Sequence, residues 1–148
     1  MLHRNKIKKI VTISELAEQS AKIKHVYQVT PDVYYSFQRC SNDYNPLHTD
    51  EAVALNKGFT GKVMYGNILN AFVSHFVGML LPSRDVMIQA QELNFMRPVY
   101  LNDEVELEGT VYEVSDTAGV IDYKLRFRRV GGGTSELVAR GHVKIGMM

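Results

Sequence analysis

The segment at residues 66–81 constrains the fold of this chain most, because when drawn as a helix it is apolar on nearly every side. A helix of that kind has to be covered by the rest of the chain. The segment is shorter than the roughly 20 apolar residues that cross a bilayer, and polar residues interrupt it. The interrupting residues are Asn67, Asn70, Ser74 and His75. We therefore expect a central core helix and no membrane span.

The second half of the chain alternates between apolar and polar residues, which is the pattern of strands with one face in solvent. Runs of this kind lie at residues 104–108, 121–128 and 137–145, and an earlier strand from about residue 86 to 95 completes the set. Turn residues at 116–119 and the glycines at 131–133 predict consecutive antiparallel hairpins. Together with the apolar helix, the pattern predicts an α+β fold in which an antiparallel sheet wraps one long helix.

The first half of the chain is expected to contain a strand and short helices. Alternation predicts a strand at residues 21–30, whereas residues 14–19 are ambiguous. Thr30 and Pro31 are the residue types that favour a helix N-cap and the first helical position. A second brief helix is expected at residues 49–55.

Length and charge narrow the class of protein. A chain of 148 residues fits a single domain, 1–148, in which residues 1–12 are expected to be a solvated basic tail. The formal net charge is only +1, so nucleic acid and anionic membranes are not favoured as partners. The lone cysteine, Cys40, excludes an internal disulfide, and no apolar signal core follows the basic start. Both features favour the cytoplasm.

An acid and a base lie close together in the turn-forming segment at residues 41–48. Pro46 fixes its own φ and disfavours the helical conformation at Asn45. The carboxylate of Asp43 and the imidazole of His48 are therefore held by local covalent geometry. A rigid acid and base on one short loop predict proton-transfer chemistry.

Polar residues on the apolar helix suggest a cavity. Asn67, Asn70 and Ser74 recur at spacings of three and four and so share one face of a helix. Burying such groups unpaired costs about 1 to 3 kcal/mol each, so they either bond the surrounding backbone or line a cavity. As a set they favour the cavity. Gly66 opens the helix, where a free N–H suits a developing oxyanion, although Gly66 could also serve only as a tight turn.

These residues carry a resemblance to a known family. The sequence SNDYNPLHTD at residues 41–50, with GF at 58–59 and VMYG at 63–66, resembles the signature of MaoC-like, R-specific enoyl-CoA hydratases and dehydratases. FMRPVYLND at 95–103 resembles the loop after the central helix of that family, so only the first dozen residues fall outside. The resemblance implies a hot-dog fold, with a curved antiparallel sheet around one long central helix. It also implies a homodimer or dimer of dimers with the active site near the subunit interface.

The resemblance also implies roles for individual residues. Asp43 and His48 match the catalytic pair, and Gly66 matches the glycine whose N–H holds the thioester oxygen. The predicted substrate-binding residues are Asn45, Tyr65, Asn67, Asn70 and Ser74. The implied reaction belongs to a lyase of fatty acid metabolism: reversible hydration of trans-2-enoyl-CoA to (R)-3-hydroxyacyl-CoA, or dehydration of 3-hydroxyacyl thioesters. No cofactor is implied beyond the CoA or acyl-carrier protein of the substrate.

Some positions depart from the family pattern. Asn42 and Asn102 stand where glycine is usual, and asparagine is the residue that best tolerates positive φ after glycine, so the loop geometry is expected to persist. Tyr65 replaces a frequent histidine, and Asn67 replaces a common apolar residue. The resemblance therefore predicts a chemically altered oxyanion side of the pocket.

Two other functions remain open, namely a hot-dog acyl-CoA thioesterase and a module that binds acyl thioesters without turnover. Several apparent signals carry no function. Residues 57–63 lack the first glycine and the final Ser or Thr of a phosphate-binding loop. No metal site is predicted, because the spacing of the histidines outside the loop does not suit metal ligands. Cys40 is expected to be a small core residue with no role in chemistry.

Overall fold

The computed structural model describes residues 12–148, so the predicted tail at residues 1–11 lies outside the described residues. Thr12 is not part of a tail, because its hydroxyl accepts a hydrogen bond from the backbone N–H of Glu15 and caps the first helix. That helix, α1 (Ile13–Gln19), occupies the segment whose pattern was ambiguous. It buries Ile13, Leu16 and Ala17.

Within residues 12–148, five antiparallel strands form one sheet with the order β1-β3-β4-β5-β2. Their bounds are β1 (Lys22–Gln28), β2 (Val86–Phe95), β3 (Glu104–Ser115), β4 (Val120–Gly131) and β5 (Thr134–Met147). Every predicted strand is confirmed, and β3, β4 and β5 extend beyond their predicted bounds. The α+β class and the hot-dog fold are confirmed as well.

Alternation along β4 shows how the sequence produces this sheet. Ile121, Tyr123, Leu125 and Phe127 are completely buried on the face that packs into the core. The polar residues between them lie on the opposite face. Full burial of side chains of this size contributes roughly 1.5 to 3 kcal/mol each, which sets the strand register. The β4–β5 turn uses Gly131, Gly132 and Gly133, all at positive φ, as the triple glycine predicts.

Helix α2 (Pro31–Ser41) begins as predicted, with Thr30 as its N-cap and Pro31 in its first turn. It ends at Asn42, whose φ of 54° reverses the chain, and Asn102 has a φ of 69°. These values confirm that asparagine preserves the loop geometry. The prediction that Cys40 is a core residue is wrong, because Cys40 is exposed. It lies off the stripe of α2 that packs inward through Tyr34.

The brief helix predicted at residues 49–55 is in fact two helices, α3 (Pro46–Thr49) and α4 (Glu51–Asn56). Asp50 separates them, because its side chain accepts a hydrogen bond from the N–H of Val53 and starts a new helix there.

The apolar segment forms α5 (Asn67–His75) and a π-helical turn, Phe76–Leu80. The prediction of a helix buried on every side is wrong. One face packs into the sheet through residues such as Ile68 and Phe72, whereas the face that carries Ser74 and Met79 is exposed. The sheet of one chain covers only one side of α5. No helix within residues 12–148 is long and apolar enough to cross a membrane.

Candidate active site

The loop that carries the predicted acid and base is built by its own side chains. Asn45 adopts an extended conformation before Pro46, and its side chain accepts a hydrogen bond from the N–H of Leu47, 3.0 Å away. The N–H of Asn45 donates to Asp43 Oδ1 at 2.9 Å. Asn45 therefore caps α3 and fixes one oxygen of Asp43 at the same time.

The second oxygen of Asp43 faces His48. Oδ2 of Asp43 lies 4.0 Å from Nε2 of His48, which is too far for a direct hydrogen bond. A single water oxygen could instead lie at hydrogen-bond distance, about 2.8 Å, from both atoms. The side chain of Asp43 is 45% exposed and that of His48 is 16% exposed, so solvent can reach the pair. The geometry suits two groups that share one water molecule.

The imidazole of His48 is held in one tautomer. Its Nδ1 lies 2.6 Å from the carbonyl oxygen of Val63. A carbonyl oxygen only accepts, so Nδ1 carries the proton and donates it. In the neutral ring, Nε2 then has a free lone pair on the side of Asp43. His48 is thus oriented as a proton acceptor towards the shared position.

Gly66 is the N-cap of α5, and its backbone N–H has no acceptor among residues 12–148. Its φ of −55° is ordinary, so glycine is not required for the backbone conformation. A Cβ at this position would lie 3.3 Å from the ring of Phe95. Glycine is therefore used here because it keeps the space beside a free helix N-terminal donor open.

A cavity of about 380 Å³ joins the base and the donor. His48 and Gly66 both line it. The other lining residues are mainly apolar: Phe59, Val63, Met64, Leu69, Phe95, Met96, Arg97, Pro98 and Val99. The cavity therefore offers one base, one free N–H and an apolar wall, an arrangement that suits a polarised carbonyl attached to an apolar group.

The polar face of α5 lies outside this lining. Asn70 donates to the side-chain oxygen of Asn67 at 2.8 Å and accepts a hydrogen bond from Gln91 on β2. The side chain of Ser74 is exposed, and its hydroxyl makes no hydrogen bond within residues 12–148. The three residues share an exposed face, and two of them bond each other. Substrate contact by Asn45, Asn67, Asn70 and Ser74 stays a prediction.

Tyr65 occupies a different side of the site from the one expected. Its ring stacks on the imidazole of His48, with centroids 4.2 Å apart, and its hydroxyl donates to the main-chain oxygen of Asp43 at 2.7 Å. Only 2% of Tyr65 is exposed. The prediction that Tyr65 alters the oxyanion side is therefore wrong: its side chain lies behind the acid and base.

Two further residues support the loop and were not identified from the sequence. The hydroxyl of Tyr34 lies 2.6 Å from the carbonyl oxygen of His48 and 3.2 Å from that of Val63. Gln38 donates to the hydroxyl of Tyr65 at 2.9 Å. Burial raises the pKa of Tyr34 far above its usual value, so its hydroxyl remains a donor. The available signal was that Tyr34 and Gln38 are four residues apart on α2 and share one face.

A scan of protein families matches residues 13–129 to the MaoC like domain. An (R)-specific enoyl-CoA hydratase of Aeromonas caviae is 31% identical over 108 residues, which cover 71% of this chain and 81% of that protein. A 3-hydroxybutyryl-CoA dehydratase of Methylorubrum extorquens is 31% identical over 78 residues, or 53% of this chain and 50% of that protein.

Solved structures agree with these sequence relatives. The (R)-hydratase from A. caviae involved in PHA biosynthesis superposes with a TM-score of 0.77 at 26% identity and covers 86% of this chain and 94% of its own. The unliganded R-hydratase from Pseudomonas aeruginosa gives a TM-score of 0.79 at 25% identity, with 92% and 84% covered.

Proposed function

Because this chain belongs to the MaoC-like domain family, we propose that it is a lyase that reversibly hydrates trans-2-enoyl-CoA to (R)-3-hydroxyacyl-CoA, or dehydrates 3-hydroxyacyl thioesters. The observation that carries the proposal is the 4.0 Å separation between Asp43 Oδ2 and His48 Nε2. It leaves room for one water between two acceptors, next to the cavity that also contains the free N–H of Gly66.

In the hydration direction, the water between Asp43 and His48 attacks Cβ of the enoyl thioester. His48 Nε2 accepts one of its hydrogen bonds, and Asp43 takes a proton as the new C–O bond forms. The electron pair of the C=C bond moves onto the thioester oxygen, and the proton taken from water is delivered to Cα. The sum is H and OH added across the double bond. Positioned acid–base catalysis of this kind contributes roughly 10² to 10⁴ in rate.

Gly66 stabilises the negative charge that develops on the thioester oxygen. Its N–H is free and lies at the N-terminus of α5, where the helix dipole adds positive potential. One donor of this type contributes about 10² to 10³ in rate. The apolar wall that includes Leu69 and Val99 accommodates the acyl chain. These steps need only side chains, a backbone donor and water, with the carrier supplied by the substrate.

We also propose that the enzyme is a homodimer, assembled through β2. That strand is one edge of the sheet, with its outer hydrogen-bonding groups unpaired within residues 12–148. Exposed apolar residues lie on or directly after that strand, namely Met87, Ile88, Phe95 and Met96, and Met79 is exposed on the π-helical turn that contacts it. Phe95 and Met96 also line the cavity, so a second copy on this edge would lie beside the mouth of the site. The lone Cys40 supports a reducing, cytoplasmic location.

The test is to follow the conjugated enoyl-thioester absorbance of crotonyl-CoA and longer enoyl-CoAs with the purified protein, on both CoA and acyl-carrier protein. Loss of absorbance without release of free thiol supports the lyase. Thiol release from acyl-CoA indicates a thioesterase instead. Tight binding with neither change indicates a binding module, and either result contradicts the proposal.

The roles of the pair are tested with Asp43→Asn, which keeps an oxygen for the N–H of Asn45 but removes the carboxylate that takes the proton of the water. We expect turnover to fall by at least about 10²-fold with the fold and binding retained. Asp50→Asn is the matched control: it removes one charge close by, and asparagine still caps α4. Full activity in Asp43→Asn contradicts the assignment.

A further inference from the structure

We propose that Tyr65 is the positioning residue of the site, which sets the geometry of Asp43 and His48 without touching the substrate. The inference rests on the proposed hydratase function. Three contacts meet at this one side chain: a hydrogen bond to the loop, a ring stack under the base, and a hydrogen bond from α2 that orients the hydroxyl.

The hydroxyl holds the acid. It donates to the main-chain oxygen of Asp43 at 2.7 Å, and it accepts from Gln38 Nε2 at 2.9 Å. A hydroxyl has one proton to donate, so the bond from Gln38 leaves that proton directed at Asp43. Burial raises the pKa of Tyr65, and the Asp43 carboxylate adds to the effect, although the hydrogen bond from Gln38 opposes it. The hydroxyl therefore keeps its proton at neutral pH.

The ring holds the base. It lies 4.2 Å from the imidazole of His48 between ring centroids, with the two planes inclined by 29°. Stacking fixes the plane of the imidazole, and the hydrogen bond from Nδ1 to Val63 fixes its rotation within that plane. One buried side chain thus contacts both of the residues that are separated by 4.0 Å.

The same residue also connects the acid and base to the oxyanion donor. Tyr65 directly precedes Gly66, so its backbone places the free N–H while its side chain places the opposite groups of the site. With 2% exposure, its ring is held by core packing, which leaves it little freedom to move. A site whose reacting groups are positioned by one rigid residue is preorganised.

The decisive variant is Tyr65→Phe, which keeps the ring and removes the hydroxyl. We expect kcat to fall about tenfold and the pH profile of kcat/KM to shift, because Asp43 moves relative to His48. KM should change by less than about twofold, because the contacts with substrate remain. The matched control is Tyr123→Phe. Tyr123 is also buried, but its hydroxyl bonds Ser20 at 2.6 Å and its ring contacts Phe76, whereas Tyr65 contacts Asp43 and His48. This control should lose stability and keep both kcat and the pH profile.

Gln38→Met provides a second test that does not alter the core tyrosine. It removes the donor that orients the hydroxyl, so we expect a drop in kcat of about threefold. If Gln38 acts through Tyr65, adding Gln38→Met to Tyr65→Phe should lower kcat no further. Additive losses would overturn the proposed route from Gln38 to Asp43.

A measurement that does not require turnover can test this inference independently of the proposed function. The NMR chemical shifts of the His48 ring protons, recorded at one fixed pH, should change in Tyr65→Phe and stay the same in Tyr123→Phe, because the aromatic ring stacked on the imidazole shifts only in the first variant. Wild-type protein that hydrates no enoyl thioester contradicts the function alone. Wild-type kcat, pH profile and His48 chemical shifts in Tyr65→Phe, with only a lowered melting temperature, would show a structural role and overturn the inference.

Discussion

At the scale of single residues, the site depends on the position of one proton on His48 and on the space that Gly66 leaves open. The Val63 carbonyl fixes the proton of His48 on Nδ1, and this leaves Nε2 as the acceptor that faces Asp43. Gly66 contributes by lacking a side chain. The first effect comes from a main-chain oxygen, whereas the second can be altered by one substitution.

Gly66→Ala should fold normally and react slowly. The φ of −55° accepts alanine, but the added Cβ lies 3.3 Å from the ring of Phe95 and narrows the approach to the N–H. We expect kcat to fall by up to about 10²-fold, the scale of one oxyanion donor, with little change in melting temperature. Gly61→Ala is the control, since its nearest atom would be 4.0 Å away.

A second variant shows which consequence of the methyl group matters. Gly66→Ala combined with Phe95→Leu relieves the ring contact but leaves the methyl group beside the N–H. If that double variant recovers full kcat, the loss came from displacement of Phe95, and the prediction that the methyl group blocks the approach to the N–H is contradicted.

Asn42 tests the conformational argument for the end of α2. Its φ of 54° lies in the left-handed region, so Asn42→Ala should lower the free energy of unfolding by about 1 kcal/mol. Asn42→Gly should be neutral or slightly stabilising and should retain activity, because glycine reaches the same conformation. Urea denaturation measures both. Equal stability of the two variants would be inconsistent with a strained left-handed position.

At the scale of elements, helices and strands were predictable where a local pattern determines them. Thr30 and Pro31 mark the start of α2, and alternation marks β4, because capping and burial act over a few residues. The support of the loop was not predictable. The spacing of Tyr34 and Gln38 shows only that they share a face of α2. Tyr34 and Tyr65 reach His48 and Asp43 across 14 and 22 residues of chain, and no local spacing identifies those partners.

The π-helical turn that follows α5 packs closely against β3, and this packing predicts how a substitution on β3 affects stability. Gly109 on β3 lies under the ring of Phe76, and an added Cβ would be 2.4 Å from that ring. Gly109→Ala should therefore destabilise the protein by about 1 to 3 kcal/mol, the usual cost of overpacking. Gly78→Ala, where nothing lies within 4 Å, should be nearly neutral in the same denaturation assay. A stable Gly109→Ala would mean that Phe76 has room to move.

At the scale of the whole molecule, the sequence predicted the layered fold and the loop carrying the acid and base, but not which side of α5 is covered. Hydrophobicity shows that a residue avoids water and does not identify what shields it. Met79 is apolar yet exposed in a single chain, and Asn70 bonds Gln91 on the neighbouring edge strand. The exposed face therefore depends on contacts with β2 and with whatever covers them both.

Buried tyrosines should make stability fall at alkaline pH. Burial raises the pKa of Tyr27 from 10.0 to about 12, and it also raises the pKa values of Tyr34, Tyr65 and Tyr123. A raised folded-state pKa gives stability that is complete below pH 10 and is lost as pH rises through the folded pKa. Each such tyrosine contributes a slope of up to about 1.4 kcal/mol per pH unit.

The alkaline prediction is checked by urea denaturation in steps between pH 9 and the alkaline limit of the buffer. In Tyr27→Phe the free energy of unfolding should fall less steeply with pH, by the contribution of about one proton. The difference from wild type isolates Tyr27 from all other groups that titrate in the same range. An identical slope in wild type and Tyr27→Phe would contradict the raised pKa of Tyr27.

The two edges of the sheet differ in a way that predicts the assembly. β1 carries Lys22 and Lys24, whose charges discourage pairing with another strand, whereas β2 exposes Met87 to 53%. We expect the wild type to sediment as a dimer and Met87→Lys to shift it to monomer, because a charge on each copy would face the other across the new pairing.

Val26→Lys is the matched control for the assembly, since Val26 is 49% exposed but lies on the β1 edge, and this variant should remain dimeric. Activity should fall with the dimer in Met87→Lys, because Phe95 and Met96 at the end of the same strand line the cavity beside the proposed interface. Sedimentation velocity and enoyl-thioester turnover, measured at the same protein concentrations, test both expectations. A fully active monomeric Met87→Lys would mean that the site is complete in one chain, and a monomeric Val26→Lys would move the interface to β1.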